Sequence, residues 1–289
     1  MNKTIALVTG ASSGLGFETS LMLAEKGFQV YATMRNLENQ MNLKIEATKR
    51  NVDLTILELD VTKLDSIKSA VEFIIQEEGR IDILINNAGA GFNKTTEQAT
   101  DEEINWQLNL NLMGVIRMTK AVLPIMRSQR EGRVINISSV GGLVGQPFNE
   151  IYCAAKFGVE GYTESLASYI QPEFNIKFTI IEPGGIQSEF MPNIMNHLTQ
   201  TGGIQEDEYT HLYNSYVSDI KENYGHDASQ STHEVAQVIL KTIEMKEPPI
   251  RTRTSDWSET FTNIKIKLDP DGKQQQKQVY KLWLYVKSD

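Results

Sequence analysis

The sequence predicts an α/β protein, a doubly wound parallel sheet of about seven strands with helices on both faces. Short runs of apolar residues alternate with longer amphipathic stretches as far as about residue 190. The runs are apolar almost throughout, as strands buried on both faces are. A glycine-rich turn separates the first run from the first amphipathic stretch. Strands that alternate with helices close into parallel sheets through right-handed crossovers.

Residues 4–8 read as the first strand and 14–26 as the helix after it, with Leu21, Leu23 and Ala24 turned inward. Residues 29–33 form the next strand, 37–50 a helix and 54–59 a third strand. Over 66–78, Ile67, Ala70, Val71, Ile74 and Ile75 recur at helical spacing. A strand at 81–85 runs into Asn86-Asn87-Ala88-Gly89. The stretch 102–127 is helical, with a break expected near 109–111. Residues 133–137 form a strand, 152–170 a helix, and 177–181 a strand ending at Glu182-Pro183-Gly184. A seventh strand is expected near 249–253.

Residues 191–230 depart from this rhythm. They are rich in His, Tyr, Asn and Gln, lack strand-like runs, and read as a helical lid over the strand ends. The tail from 265 onward is polar, and Val279, Leu282, Trp283 and Val286 share a helical face suited to packing on the core or a second subunit. Neither a repeat nor a Pro/Gly/Ser linker is visible. The expectation is one domain, with the core over 1–190, the lid over 191–230 and the tail over 265–289.

Composition narrows the function. Apolar residues at 40% and charged residues at 22% suit a globular protein. A net charge of −9 and a pI of about 5.1 argue against nucleic acid as a partner. Cys153 is the single cysteine, so no internal disulfide can form, which fits a reducing compartment. Beside Tyr152 it reads as a packing or pocket-lining residue. The apolar run at 5–8 stops at Thr9-Gly10, too short for a signal segment, and no run is long enough for a membrane span. A cytoplasmic location is expected. Four scattered histidines and one cysteine offer no metal cluster.

The turn Thr9-Gly10-Ala11-Ser12-Ser13-Gly14-Leu15-Gly16 lies between the first strand and the first helix. Glycine allows close approach of backbone to a ligand, and the helix start offers free N–H groups and a positive dipole end to a pyrophosphate. Its spacing is GxxxGxG rather than the commoner GxGxxG. The second strand, Val30-Tyr31-Ala32-Thr33-Met34-Arg35, has no carboxylate to hold a ribose 2′-OH and ends in arginine, with Ser12 in the turn nearby. Arginine matches a phosphate in charge and shape. NADP(H) is therefore expected in preference to NAD(H).

Tyr152 and Lys156 stand four residues apart, on one face of a helix. A tyrosine is a poor acid or base at neutral pH, and a neighbouring ammonium is expected to lower its pKa. Ser138-Ser139 ends a strand, with Ser139 thirteen residues upstream of the tyrosine. Asn86-Asn87-Ala88-Gly89 and Pro183-Gly184-Gly185-Ile186-Gln187-Ser188 end two more, and such ends meet along the edge where ligands bind.

With these motifs the chain resembles the short-chain dehydrogenase/reductase family over nearly all of residues 4–190. Ser139-Val140-Gly141-Gly142-Leu143 and Pro147-Phe148-Asn149-Glu150-Ile151-Tyr152-Cys153-Ala154 are similar to the branch of estradiol 17β-dehydrogenase and retinol dehydrogenases. The resemblance implies a Rossmann-like fold and an oxidoreductase that interconverts a carbonyl and a secondary alcohol. It implies Tyr152 as proton donor or acceptor, Lys156 as ribose ligand and tuner of the phenol, Ser139 rather than Ser138 as the orienting hydroxyl, and Asn111 as holder of a relay water. Gly10, Ser12, Gly14 and Gly16, with Ser13 and Leu15 of the same turn, would meet the phosphates. Asp60 and Val61 would contact adenine. Asn87, Ala88 and Gly89 would line the central sheet edge, and Pro183, Gly184, Ile186 and Ser188 the nicotinamide. Ser188 stands where threonine is commoner. An apolar small-molecule substrate of steroid or retinoid type is implied, and a homodimer or homotetramer formed through the helices near 111–127 and 152–170. The alternative is a sensor that binds NADP(H) without turnover, but such proteins usually lose the tyrosine or the lysine.

Overall fold

In the computed structural model, which describes residues 3–223, 229–274 and 277, the first apolar run forms β1 (Ile5–Val8), buried throughout. α1 (Gly14–Glu25) returns the chain to β2 (Gln29–Met34). A single tight turn at Leu37–Gln40 then leads into α2 (Met41–Lys49). The helix expected over 37–50 starts as this tighter turn because the Asn36 side chain accepts from the Glu38 amide and caps it. β3 (Thr55–Glu58), α3 (Leu64–Glu78) and β4 (Ile83–Asn86) follow. α3 stops at Gly79, whose φ of 71° places it in the left-handed region.

The helical stretch expected at 102–127 resolves into α4 (Asp101–Leu108), one π turn (Asn109–Met113) and α5 (Gly114–Gln129), without a gap. The expected break is thus a widened turn, a feature frequent at functional sites. A capping box between Thr100 and Glu103 fixes the start of α4. β5 (Gly132–Ile137), α6 (Glu150–Phe174) and β6 (Ile176–Glu182) complete the core. α6 extends past both expected ends. Glu150 suits the dipole of its first turn, and Asn175 ends it with a φ of 57°.

Beyond the core lie β7 (Gly185–Gln187), α7 (Phe190–Gln200), α8 (Thr210–Asn223), β8 (Ser229–Ser231), α9 (Thr232–Glu244), β9 (Arg251–Arg253) and α10 (Asp256–Ile266). β7 and β8 pair in parallel as a separate two-stranded sheet. The sequence reading placed no strand within 191–230, and the pairing corrects it at Ser229 and Gln230. It also did not single out α9, although Ser231 and Glu234 form a capping box there. The expected tail begins inside α10, and the face of Val279, Leu282, Trp283 and Val286 lies outside the described residues.

The main sheet has the order β3-β2-β1-β4-β5-β6-β9, and every pairing is parallel. β9 is the seventh strand expected near 249–253. Alternate residues face opposite layers. Ala6 and Val8 pack with Leu21, Leu23, Ala236 and Ile239 on the α1/α9 face. Ile5 and Leu7 pack with Ile74, Met118, Val122 and Phe178 on the α3/α5/α6 face. Strand order reverses between β1 and β4, where Val8 pairs with Ile85. A doubly wound sheet opens its ligand crevice at that reversal, beyond the carboxyl ends of the strands.

Candidate active site

Three glycines of the phosphate turn each have a steric reason. Gly10 has a φ of 70°, and a Cβ there would stand 2.8 Å from Ala88 Cα. At Gly16 a Cβ would meet Asn87 Nδ2 and the Gly10 carbonyl oxygen. Gly14 has a φ of 62° and faces Ser188. Asn87 locks the turn to β4: its Nδ2 donates to the carbonyls of Thr9 at 2.9 Å and Gly10 at 3.0 Å. The Thr9 hydroxyl accepts from the amides of Asn87 and Ala88. The start of α1 is left bare, since Ser13 makes no side-chain cap and the first turn has no acid. Free amides and a positive dipole end are what an anion needs.

Next to this helix start lies a pocket of about 460 Å³, lined by Ser12, Ser13, Arg35, Asn36, Glu38 and Glu189 among others. Arg35 and Ser12 meet there, as the sequence predicts. Two carboxylates the sequence reading did not place, Glu38 and Glu189, share the pocket. Glu38 is drawn back by a 3.0 Å hydrogen bond from Asn36 Nδ2. Asp60 follows β3, where its Oδ1 accepts from the Thr62 amide and hydroxyl. Burial opposes its ionisation, but the Thr62 bonds, Lys63 and Arg35 outweigh that and hold its carboxyl below the ordinary value. Val61 is buried, and a Cβ on Gly114 would stand 2.8 Å from its Cγ2.

The hydroxyl groups and the lysine converge where β5 ends. Ser139 Oγ accepts from the Gly141 amide at 3.0 Å and lies 3.5 Å from the Pro183 carbonyl. A Cβ on Gly141 would touch Ser139 Oγ, Tyr152 Cε1 and Cys153 Sγ, all at 3.4 Å. The Ser139 hydroxyl is near enough to act on the Tyr152 phenol. Lys156 is buried, donates to the Ile137 carbonyl at 2.8 Å, and sits 5.7 Å from the centre of the Tyr152 ring. Ser138 points into the protein instead, 2% exposed.

The expected lowering of the Tyr152 pKa by Lys156 is not met in the protein alone. Burial pushes the phenol up to about 12, against a smaller opposing pull from Ser139. Burial also pushes Lys156 down to about 8, and the charge of Glu160 opposes that fall. Desolvation disfavours the charged form of each group, so it moves the two in opposite directions. Asn111, in the π turn and 1% exposed, spends its side chain on Ala90 and, through Nδ2 at 3.3 Å, on the Gln107 carbonyl. Its Nδ2 donates to the Ala90 carbonyl at 2.9 Å, and its Oδ1 accepts from the Ala90 amide at 3.2 Å. That grip fixes the loop carrying Ala88 and Gly89.

Comparison with known proteins follows the same residues. The short chain dehydrogenase family matches residues 4–198. This chain belongs to that family. It is 40% identical over 253 residues to a 3-ketodihydrosphingosine reductase of Bacteroides thetaiotaomicron, with 88% of each chain covered. It is 34% identical over 279 residues to the 17-beta-hydroxysteroid dehydrogenase type 1 of Homo sapiens, covering 94% of this chain and 83% of that one. Among solved structures, an actinorhodin polyketide ketoreductase variant with NADPH superposes with a TM-score of 0.73 and 26% identity, covering 88% of this chain and 98% of that one. The protein is an oxidoreductase acting on CH–OH donors, in a family whose solved members include one with NADPH.

In this short-chain dehydrogenase, three polar arrangements escaped the sequence reading. Asn86 Nδ2 donates to Thr119 and to Asn136, and Asn136 Nδ2 donates to Thr163, a buried ladder from β4 across β5 to α6. Lys94 and Glu103 pair at 3.0 Å, both nearly buried, and Lys94 Nζ also reaches the Thr201 carbonyl beyond α7. Glu160 and Glu182 are both buried and act on each other. Each joins partners on different elements, so no helical or strand spacing announced it. Aromatic side chains gather near Tyr152. Phe190 packs edge-on to it at 6.1 Å, while Phe148 meets Tyr213 at 5.2 Å and Tyr216 at 5.3 Å. Trp106 stacks on His197 at 4.3 Å and ties α4 to α7. Among the described residues, no helix is long and apolar enough to cross a membrane.

Proposed function

We propose that this enzyme uses NADPH to reduce a ketone on an apolar substrate, through Ser139, Tyr152, Lys156 and Asn111. The carrying observation is the gathering of Ser139, Tyr152 and Lys156 at the end of β5, together with the bare start of α1. Gly10, Ser12, Ser13, Gly14, Leu15 and Gly16 hold the pyrophosphate, and Arg35 the 2′-phosphate. Asp60 and Val61 border the adenine, and Asn87, Ala88 and Gly89 the central edge. Pro183, Gly184, Ile186 and Ser188 border the nicotinamide, which supplies the hydride.

Ser139 hydrogen-bonds the carbonyl oxygen and Tyr152 gives it a proton. A phenol raised to about 12 is fully protonated at neutral pH, as a donor must be. Lys156 spends one of its three N–H donors on Ile137, leaving two for the ribose hydroxyls. Asn111 steadies the wall opposite and takes the far end of the proton relay. α7 and α8 serve as the lid. Phe190, Ile194, Phe148 and Tyr213 give its inner side an apolar, aromatic lining. A long-chain ketone of the kind named for the bacterial relative fits that lining, as does a fused-ring ketone.

The cofactor choice has its own test. In Arg35→Ala, the dissociation constant for NADPH is expected to rise roughly 10–100-fold, the worth of a charged hydrogen bond, with NADH little changed. Fluorescence titration of the two cofactors measures this. Equal weakening of both, or of neither, counts against Arg35 as the phosphate ligand.

A further inference from the structure

We propose that Glu160 and Glu182 share one proton and one negative charge behind the active site, and that the share borne by Glu160 keeps Lys156 an ammonium. The inference rests on the role given to Lys156 above and names what sustains its charge. Glu160 follows Lys156 by one turn of α6 and is 5% exposed, while Glu182 closes β6 at 0%. Among the described residues, neither oxygen of Glu160, nor Oε1 of Glu182, accepts a hydrogen bond. Two carboxyl groups side by side in the core resist ionising together, and a proton between them satisfies one orphaned oxygen of each.

The surroundings decide how the charge is divided. Glu182 Oε2 accepts from Arg253 of β9 at 3.3 Å, and Arg253 reaches Glu259 of α10 at 3.0 Å. Arg251 of β9 also acts on Glu182, and is itself paired with Glu164 of α6 at 3.2 Å. On the other side, Ser138 Oγ and Glu160 Oε1 face one point, 2.5 and 2.9 Å from where a Cβ of Gly142 would stand. Burial, with the charges of Glu182 and Glu164, pushes Glu160 well above the ordinary carboxylate value, and the neighbouring Ser138 hydroxyl opposes that rise. α4 and α5 also pack near α6. Glu103 of α4 is spent on Lys94, and Thr119 of α5 accepts from Asn86. Glu182 thus has a cation of its own, whereas the cation left to Glu160 is Lys156, one turn away on the same buried face. Glu160 touches neither substrate nor cofactor in this account; it is a positioning residue.

The pair predicts opposite responses. Protein labelled with ¹³C at lysine Cε is titrated by NMR without cofactor, and the Lys156 resonance is identified by its loss in Lys156→Arg. The wild-type midpoint is expected at about 8. Glu160→Gln strands the charge beside Arg253, so the Lys156 midpoint falls by roughly half to one pH unit. Glu182→Gln leaves Glu160 to ionise alone, so the midpoint rises by about the same amount. Glu160→Asp keeps it near wild type. The alkaline limb of NADPH oxidation should move with the midpoint in each variant. An unmoved midpoint in Glu160→Gln, or a shift of the same sign in both glutamine variants, overturns the proposal. If Glu160→Gln does not fold, a midpoint that fails to rise in Glu182→Gln overturns it equally. The titration needs no turnover, so an inactive protein would count against the proposed reaction and not against the shared proton.

Discussion

Tyr152→Phe is expected to lose about 10²–10⁴-fold in kcat, the usual worth of a placed proton donor. The substitution removes one oxygen from a partly buried ring and leaves the ring in place. The contacts of that ring with Gly141 and Phe190 should survive, so melting temperature and NADPH binding should stay near wild type. Ser139 would still hydrogen-bond the carbonyl oxygen, and a residual rate is expected for that reason. Single-turnover NADPH oxidation separates the chemical step from binding. Turnover near wild type would remove Tyr152 from the mechanism.

Gly16→Ala is expected to disable the cofactor site by displacing the chain around it. The new Cβ would lie within van der Waals overlap of Asn87 Nδ2 and the Gly10 carbonyl oxygen, and the second of these is backbone. Asn87 is also the residue that clamps Thr9 and Gly10 to β4. The chain must therefore move apart at the crevice between β1 and β4. Forced overpacking of this kind costs about 1–3 kcal/mol. The measured result should be a lower melting temperature together with a loss of NADPH binding of at least roughly tenfold. Unchanged binding would show that the phosphates do not lie on this turn.

Legibility from sequence followed the distance between partners. The glycine turn, the Tyr152–Lys156 spacing and the strand ends at Asn86, Ser138 and Glu182 are local signals, and the parallel sheet brings them to one edge. The seventh strand was legible near Ile250, although the helix before it was not. β8 was not, because Ser229-Gln230-Ser231 is polar and becomes a strand only by pairing with β7. The tight turn before α2 is capped by a hydrogen bond from the Glu38 amide to the Asn36 side chain, which periodicity does not register. The opposite pKa shifts of Tyr152 and Lys156 come from burial, and the spacing suggested only their mutual attraction. Asn111 was legible as a site residue, but its grip on Ala90 needed coordinates.

The most direct test of the account is NADPH consumption, followed at the nicotinamide absorbance, with a panel of ketones. The panel should include a long-chain 3-keto amine, a steroid ketone, a retinoid carbonyl and small polar ketones. The account predicts turnover with at least one of the long or fused-ring carbonyls, faster with NADPH than with NADH. Turnover confined to the small polar ketones, or none with any carbonyl despite tight NADPH binding, would contradict it.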